Sequence, residues 1–237
     1  TELTRDLRSN YNQYIPKSFL TYPMNFGDKS FFKMFTNYAP FDIIANFAAH
    51  KHVRSEKDKF SIEAMIENNV FKAKNFLDFL LKNKPEHFFC VSTDKAANPV
   101  NVMGASKKLM EEVIMAFSND IKISTARFAN VAFSDGSLLH SFDQRMEKFQ
   151  PIAAPNDVKR YFITSKESGE LCLMSCIFGD NRDIFFPKLS KDLHLISFAD
   201  IDTKYLSNKG YQTHLCKTEE EARSLSMSLH KKGKWSC

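Results

Sequence analysis

Three continuous apolar runs of strand length constrain this chain more than anything else in it. They are FDIIANFAA (41–49), HFFCVS (87–92) and the stretch Ile121 to Phe128. Between them lie helix-length amphipathic segments, Ser61 to Lys82 and Asn101 to Ser118, and a shorter one, Ser30 to Asn37, precedes the first run. A strand apolar along its whole length is one whose two faces are both to be covered. Strand, helix, strand in alternation with short connections builds βαβ units and a parallel sheet, wound by right-handed crossovers. The expected fold is therefore α/β, a Rossmann-like doubly wound parallel sheet. In such a sheet a ligand lies beyond the carboxyl ends of the strands. The unusual polar clusters fall at those ends: Gly27-Asp28, His50-Lys51-His52, Ser92-Thr93-Asp94-Lys95, and Asn130 through Ser137.

The flanks are less regular. Leu3 and Leu7 among charges suggest a helix end over Thr1 to Ser9, and Phe19 to Phe26 a short strand ending at Gly27-Asp28. Along Ser61 to Lys82 the apolar count turns Ala64, Val70, Phe71, Phe76, Leu77 and Leu80 inward. After about residue 140 prolines punctuate shorter pieces. Ser165 to Phe178, Ser197 to Asn208 and Thr218 to His230 read as helices, and Asp183 to Phe186 as a strand. The organisation expected is a partial Rossmann-like sheet domain over 1–140 and a small mixed α/β lobe over 141–237, interleaved with it.

Composition removes several classes. Lys and Arg total 33 against 28 Asp and Glu, a net charge of +5 that is interspersed and too small to argue for nucleic acid. No apolar run approaches the roughly 18 to 20 residues that cross a bilayer. Thr1 to Asn12 carries both signs of charge and no apolar core, so it does not read as a signal peptide. The 5 cysteines are widely spaced, with no CxxC pair, which fits neither a disulfide framework nor a zinc motif. Cys172 and Cys176, one helical turn apart, read as buried thiols in a reducing, cytoplasmic compartment. Metal ligands are not expected, and His140, His194 and His214 are read as structural. The 7 glycines form neither GxGxxG nor GxxxxGK[ST].

The informative segment is STDKAANPVNVMGASK (92–107). Met103 and Lys107 stand at i and i+4 on one helix face. Asp94 and Lys95 sit at a strand end, where an adjacent acid and amine can divide proton donation and acceptance. Taken alone, the same pair also reads as a solvated loop Asp-Lys.

That segment resembles the S-T-D-K-A-x-x-P-x-N-x-M/Y-G-x-[ST]-K motif of extended short-chain dehydrogenase/reductases. The branch is the nucleotide-sugar 4,6-dehydratases of polysaccharide biosynthesis, which act on N-acetylhexosamine nucleotides. The likeness extends to AAHKHV (48–53), NNV (68–70), RFANV (127–131) with Gly136-Ser137, and the run Pro155 to Thr164. It covers roughly residues 27 to 187 and carries the motifs in order.

The resemblance implies a redox cycle on NAD: oxidation at C4 of the sugar, water loss across C5 and C6, and hydride return to C6. It makes Asp94 the acid for the departing C6 hydroxyl and Lys95 the base at C5. Thr93 bonds the C4 oxygen and Lys107 the nicotinamide ribose. Met103 replaces the usual tyrosine, and a thioether accepts no proton at neutral pH. The same exchange occurs in the resembling branch. It leaves Asp94 as the best remaining candidate for the C4 proton and disfavours a simple 4-epimerase. Further cofactor positions implied are Asp28, Ala48, Ala49, Asn69 and Ser92. Substrate positions are Lys51, His52, Asn130, Ser137 and Arg160, although Asp28 also reads as a turn residue and His52 as a packed histidine.

The family's first strands and glycine-rich phosphate turn have no counterpart here, so the chain reads as a central portion of such an enzyme. A non-catalytic nucleotide-sugar-binding remnant is the reading from another class, and an NAD-dependent epimerase or reductase a third. The expected partners are a nucleotide-activated amino sugar and a second copy of the chain. The copies would meet through the helices of Ser61 to Lys82 and Asn101 to Ser118, with Met65, Phe79, Met110, Val113 and Phe117 on the outer face.

Overall fold

The structure, a computed structural model, describes residues 2–9, 19–51, 56–132, 134, 137–148, 150, 152 and 154–231. It opens with α1 (Glu2–Ser9), α2 (Lys29–Tyr38) and β1 (Ile43–Asn46). A long helix follows in three parts: α3 (Lys59–Ile66), a π turn (Glu67–Phe71) and α4 (Lys72–Leu80). Next come β2 (His87–Val91), a 3-10 turn (Asp94–Ala96), α5 (Val102–Ala116) and β3 (Lys122–Ala126). The remainder is β4 (Asn130–Val131), α6 (Leu138–Glu147), β5 (Lys159–Ile163), α7 (Ser165–Phe178), β6 (Asp183–Phe185), α8 (Lys191–His194), β7 (Leu195–Ser197), α9 (Phe198–Asn208) and α10 (Glu219–Lys231).

Strands β1, β2, β3 and β6 form one sheet in that order, and every pairing is parallel. The register sets Asn46 opposite Cys90 and Cys90 opposite Thr125, so the carboxyl ends of these strands finish side by side. This is the parallel Rossmann-like sheet that the alternation implies. A second, mixed sheet joins β4, β5 and β7, with β4 parallel and β7 antiparallel to β5.

Period-two alternation in β2 builds two cores at once. Phe88 and Cys90 enter the cluster with Phe76, Leu77, Leu80, Met110 and Ile114, which come from α4 and α5. Phe89 turns to the other face and meets Cys172 and Cys176 of α7. Phe76 is a hub, with the rings of Phe26, Phe31, Phe35 and Phe88 within 6.0 Å of its own. Burial pushes the Cys172 thiol up to about 11 and raises that of Cys176, which keeps both as inert packing groups.

Several local expectations give way. Phe19 to Phe26 is irregular rather than a strand; Pro23 offers no N–H to a ladder, and the Met24 N–H turns back to the Tyr22 carbonyl at 3.0 Å. The run 41–49 shortens to the four residues of β1, and only one of its faces is covered: Ile43 is 48% and Phe47 57% exposed. In the long helix Met65 faces in and Ala64 out, and Phe71 lies 49% exposed. The π turn takes an extra residue, which rotates the flanking faces relative to an uninterrupted α-helical count. Met65 and Met110 are thus core residues, at 0% and 1% exposure, and cannot form the outer face proposed for a helix-paired oligomer. Sequence periodicity also passes over α6, α8, β4, β5 and β7, which are short or half-buried.

The smaller core gathers Leu139, Phe142, Ile152 and Leu206 from α6, α9 and the segment between α6 and β5. In α9 the Asp202 Oδ1 is buried with no hydrogen-bond partner, and burial lifts this carboxyl to about 6. The native state then binds more protons than the unfolded chain between the ordinary Asp value and about 6, so stability falls as pH rises through that window. Asp202→Asn should remove this slope and raise stability at neutral pH by about 1–3 kcal/mol. Urea unfolding at acidic and neutral pH tests it; an unchanged pH slope in the variant would refute the assignment.

Candidate active site

The carboxyl ends of β1, β2 and β3 present their loops at one edge of the parallel sheet, above the start of α5. Thr93 caps the 3-10 turn, accepting from the Lys95 N–H at 3.4 Å, and its hydroxyl donates to Asp94 Oδ1 at 3.0 Å. Lys95 Nζ donates to the same Asp94 oxygen at 3.0 Å and to Asn130 Oδ1 at 3.2 Å. Asn130 in turn donates to the Tyr161 carbonyl at 3.3 Å, linking the cluster to the second sheet. The Asp94–Lys95 ion pair is half in water, with side-chain exposures of 43% and 30%.

Beneath the turn lies the N-terminus of α5. Asn101 caps it through Gly104 N–H at 2.8 Å, and Glu56 holds the Met103 N–H at 2.7 Å. A Cβ on Gly104 would stand 2.8 Å from the Lys95 carbonyl oxygen, closer than real contacts allow. Glycine here is what lets the turn bearing Asp94 and Lys95 rest on the helix. Met103 is 5% exposed, so the position of the wider superfamily's usual tyrosine is a buried thioether.

Lys107, one turn further along α5, is 4% exposed. Its ammonium donates to the Val91 carbonyl at 2.7 Å, at the very end of β2. Burial lowers its pKa from the ordinary lysine value, while Cys90 and Glu111 oppose that shift. The Cys90 thiol beside it accepts from Asn46 at 3.6 Å, and burial raises its pKa.

Two residues that sequence reasoning left without a role complete this floor. Glu111 is 2% exposed and accepts from Ser92 Oγ at 2.5 Å and from Arg127 Nε at 2.9 Å, with a second, closer bond from Arg127 Nη2. The ion pair raises the Arg127 pKa. The available signal was Glu111 at i+4 from Lys107, together with an arginine opening RFANV at the next strand end.

The other candidates divide. Asn69, 1% exposed inside the π turn, clamps the loop after β1: it accepts from His50 N–H at 2.8 Å and donates to His50 O and Ser106 Oγ, both at 3.0 Å. Its amide is engaged with protein, which makes it a support of the loop. The Ser92 hydroxyl is likewise held by Glu111. Ala48 and Ala49 are half-buried at the end of β1. Ala48 also lines a groove of about 360 Å³ with Met24, Phe26 and Phe47.

Asp28 caps α2 by position without a side-chain bond, next to Gly27 at φ +81°, and is exposed. Lys51 is exposed. Ser137 accepts from His140 N–H at 3.4 Å as the cap of α6, and Arg160 is exposed, bonded to its neighbour's carbonyl. The structure therefore brings Thr93, Asp94, Lys95 and Asn130 into one bonded cluster, over Met103 and Lys107. Hydrogen bonds do not join Asp28, Ser137 or Arg160 to that cluster among the described residues. His52 and Gly136 lie outside the described residues.

Comparison with known proteins shows the family and the fold. Residues 7–222 match the family model described as "Polysaccharide biosynthesis protein". The "Probable polysaccharide biosynthesis protein EpsC" of Bacillus subtilis is 32% identical over 173 residues, 70% of this chain and 28% of its own length. The "UDP-glucose 4-epimerase" of Rickettsia canadensis is 33% identical over 153 residues, 62% of this chain and 44% of its own. Among solved structures, a UDP-glucose 4-epimerase from Thermotoga maritima superposes with a TM-score of 0.71 at 17% identity, covering 84% of this chain and 71% of that one. The alignment thus spans about a quarter of EpsC and under half of the Rickettsia protein. With the family model covering nearly all of the chain and the parallel sheet carrying its motifs at the strand ends, this chain belongs to the polysaccharide biosynthesis protein family.

Proposed function

We propose that this chain carries the catalytic centre of an NAD-dependent nucleotide-sugar 4,6-dehydratase acting on an N-acetylhexosamine nucleotide. The observation that carries the reading is the Asp94–Lys95 pair, held at the end of β2 by Thr93 and Asn130 over Met103 and Lys107. Support for NAD comes from the neighbours: DesIV, a dTDP-glucose 4,6-dehydratase from Streptomyces venezuelae, was solved with NAD bound and shares this fold at a TM-score of 0.67. The residues fit the nicotinamide end of such a cofactor. Lys107 offers a buried ammonium one helical turn from Met103. Ala48 and Ala49, small at the end of β1, would let that strand end approach the cofactor's diphosphate, and Asp28 would bind its adenine end.

Bound NAD would take a hydride from C4 of the sugar and return it at C6. The chain's own residues handle the protons. As hydride leaves C4, the Asp94 carboxylate takes the C4 hydroxyl proton and Thr93 bonds the C4 oxygen. The Lys95 amine, which gives up its own proton to solvent as the bound sugar expels water from around it, removes the C5 proton. Asp94 passes its proton to the departing C6 hydroxyl, which leaves as water, and Lys95 returns a proton to C5 as the hydride arrives at C6. The ion pair, with Lys95 Nζ 3.0 Å from Asp94 Oδ1, is the resting form of this machinery. Asn130, Ser137, Lys51, His52 and Arg160 are proposed to hold the nucleotide and diphosphate, with the Arg160 guanidinium suited to phosphate.

A 4-epimerase is the second reading, favoured by the relatives that bear that name. Mass spectrometry of the chain incubated with NAD and UDP-N-acetylglucosamine separates the two. A dehydratase yields a product lighter by one water; an epimerase leaves the mass unchanged and inverts C4. Bound NAD and sugar nucleotide with neither product would leave a binding domain without catalysis and overturn the proposal.

A further inference from the structure

Away from the sheet, the segment leading into α10 brings three unlike donors together. Atoms of His214, Cys216 and Glu221 that can each ligate a metal lie within 4.8 Å of one another. Residues 211–216 form neither helix nor strand, and His214 and Cys216 stand two positions apart in that segment. Glu221 stands in the first turn of α10. There Thr218 Oγ1 accepts its N–H at 3.1 Å, and its carboxylate accepts the Lys217 N–H at 2.7 Å, which turns it back toward the segment. Cys216 is a free, half-buried thiol, and His214 and Glu221 are exposed.

We propose that His214, Cys216 and Glu221 bind a divalent cation of the zinc type, fastening residues 211–216 to the start of α10. The donor set is the argument: imidazole nitrogen, thiolate and carboxylate are the ligands zinc takes, and two anionic donors balance its charge. Tetrahedral zinc, with ligand distances of about 2.0–2.3 Å, places donors about 3.5 Å apart. Rotation of the exposed His214 and Glu221 side chains closes the remaining gap of about 1 Å. Glu221 can ligate through one oxygen while the other keeps the Lys217 bond. Three protein donors leave a fourth position for water. Binding releases the thiol proton, so affinity rises with pH.

Cobalt(II) is the probe, titrated into the metal-stripped 237-residue chain. The expected result is a near-ultraviolet thiolate-to-cobalt charge-transfer band with visible bands of tetrahedral cobalt, both abolished by zinc. Cys216→Ser should remove the charge-transfer band. His214→Ala and Glu221→Gln should each weaken binding by at least about 10-fold, since even supporting groups around a metal are worth about 10- to 100-fold. The Gln amide oxygen still accepts from Lys217, so the helix start survives in that variant, and exposed His214 tolerates Ala. A band that persists in Cys216→Ser, or affinity untouched in both other variants, would mean adventitious cobalt at other groups and would overturn the site. The outcome is independent of whether the chain turns over a sugar nucleotide.

Discussion

Lys95→Met, in a chain that binds NAD and the sugar nucleotide, is expected to stop water loss while still allowing oxidation at C4. The 4-keto-6-deoxy product should form about 100- to 10,000-fold more slowly, the usual cost of removing one acid or base. Absorbance of the reduced cofactor should rise and persist, because the C5 proton has no acceptor. Asp94→Asn should slow departure of the C6 hydroxyl to a comparable degree, since an amide cannot deliver the proton. Both side chains are part-exposed, so neither change should cost much stability, and a thermal melt distinguishes a chemical loss from an unfolded sample. In the wild-type reaction run in deuterated water, the label should enter at C5. Near-normal turnover of Lys95→Met with that label would remove Lys95 from the role and direct attention to Lys51.

The sheet was legible because its signal is physical and local. Runs such as HFFCVS can satisfy their backbone and bury their side chains on both faces only in the middle of a sheet. β2 does so, with Phe88 and Phe89 both 0% exposed. The same logic failed for FDIIANFAA, where the run is apolar but one face of β1 is bare. Apolarity reports what a strand tolerates, and the neighbour that covers it is decided elsewhere in space. The helix of Ser61 to Lys82 was legible in extent and, at Val70, Phe76, Leu77 and Leu80, in facing; Ala64 and Phe71 turn outward, because a π turn at Glu67–Phe71 leaves no mark in a periodicity count. It matters to the site, since that turn buries Asn69 against His50 and Ser106.

The site was legible where motif residues meet solvent, and opaque where they meet one another. Thr93, Asp94 and Lys95 follow the end of β2, and Asn130 follows the end of β3 at the start of β4; the parallel register of β2 and β3 brings those two ends together. Asn69 and Ser92 looked like cofactor ligands by position, yet their polar atoms are already engaged with protein. Glu111 is a glutamate on an amphipathic helix, and its spacing from Lys107 does not by itself say that it is buried. Only the arrival of Arg127 from the end of β3 and Ser92 from the end of β2 makes that burial tolerable. These are contacts between residues 16 and 19 positions apart.

That arrangement sets the largest expected effect on stability. Glu111→Ala leaves the Arg127 guanidinium, whose side chain is 18% exposed, without its partner, and strips the acceptor from Ser92. Breaking a buried pair by removing one partner costs about 3–5 kcal/mol, most of it the uncompensated charge left behind. Glu111→Gln keeps an acceptor oxygen for Ser92 and Arg127 and should cost about 1–3 kcal/mol. Replacing the pair together, Glu111→Met with Arg127→Leu, should cost clearly less than the two single losses combined, because no buried charge is orphaned.

Lys107 adds a pH signature. Its pKa is lowered in the native state, so the unfolded chain binds more protons between the two values and stability rises with pH through that interval. Glu111 opposes the lowering; without its carboxylate the interval widens, and the deficit of Glu111→Ala should grow as pH falls from the ordinary lysine range. Urea midpoints at alkaline and neutral pH measure both effects. A Glu111→Ala loss below about 1 kcal/mol, the worth of an exposed pair, would show that the three strand-end elements do not depend on this carboxylate to stay together. The loop carrying Asp94 and Lys95 would then owe its position to Gly104 and the Thr93 cap alone.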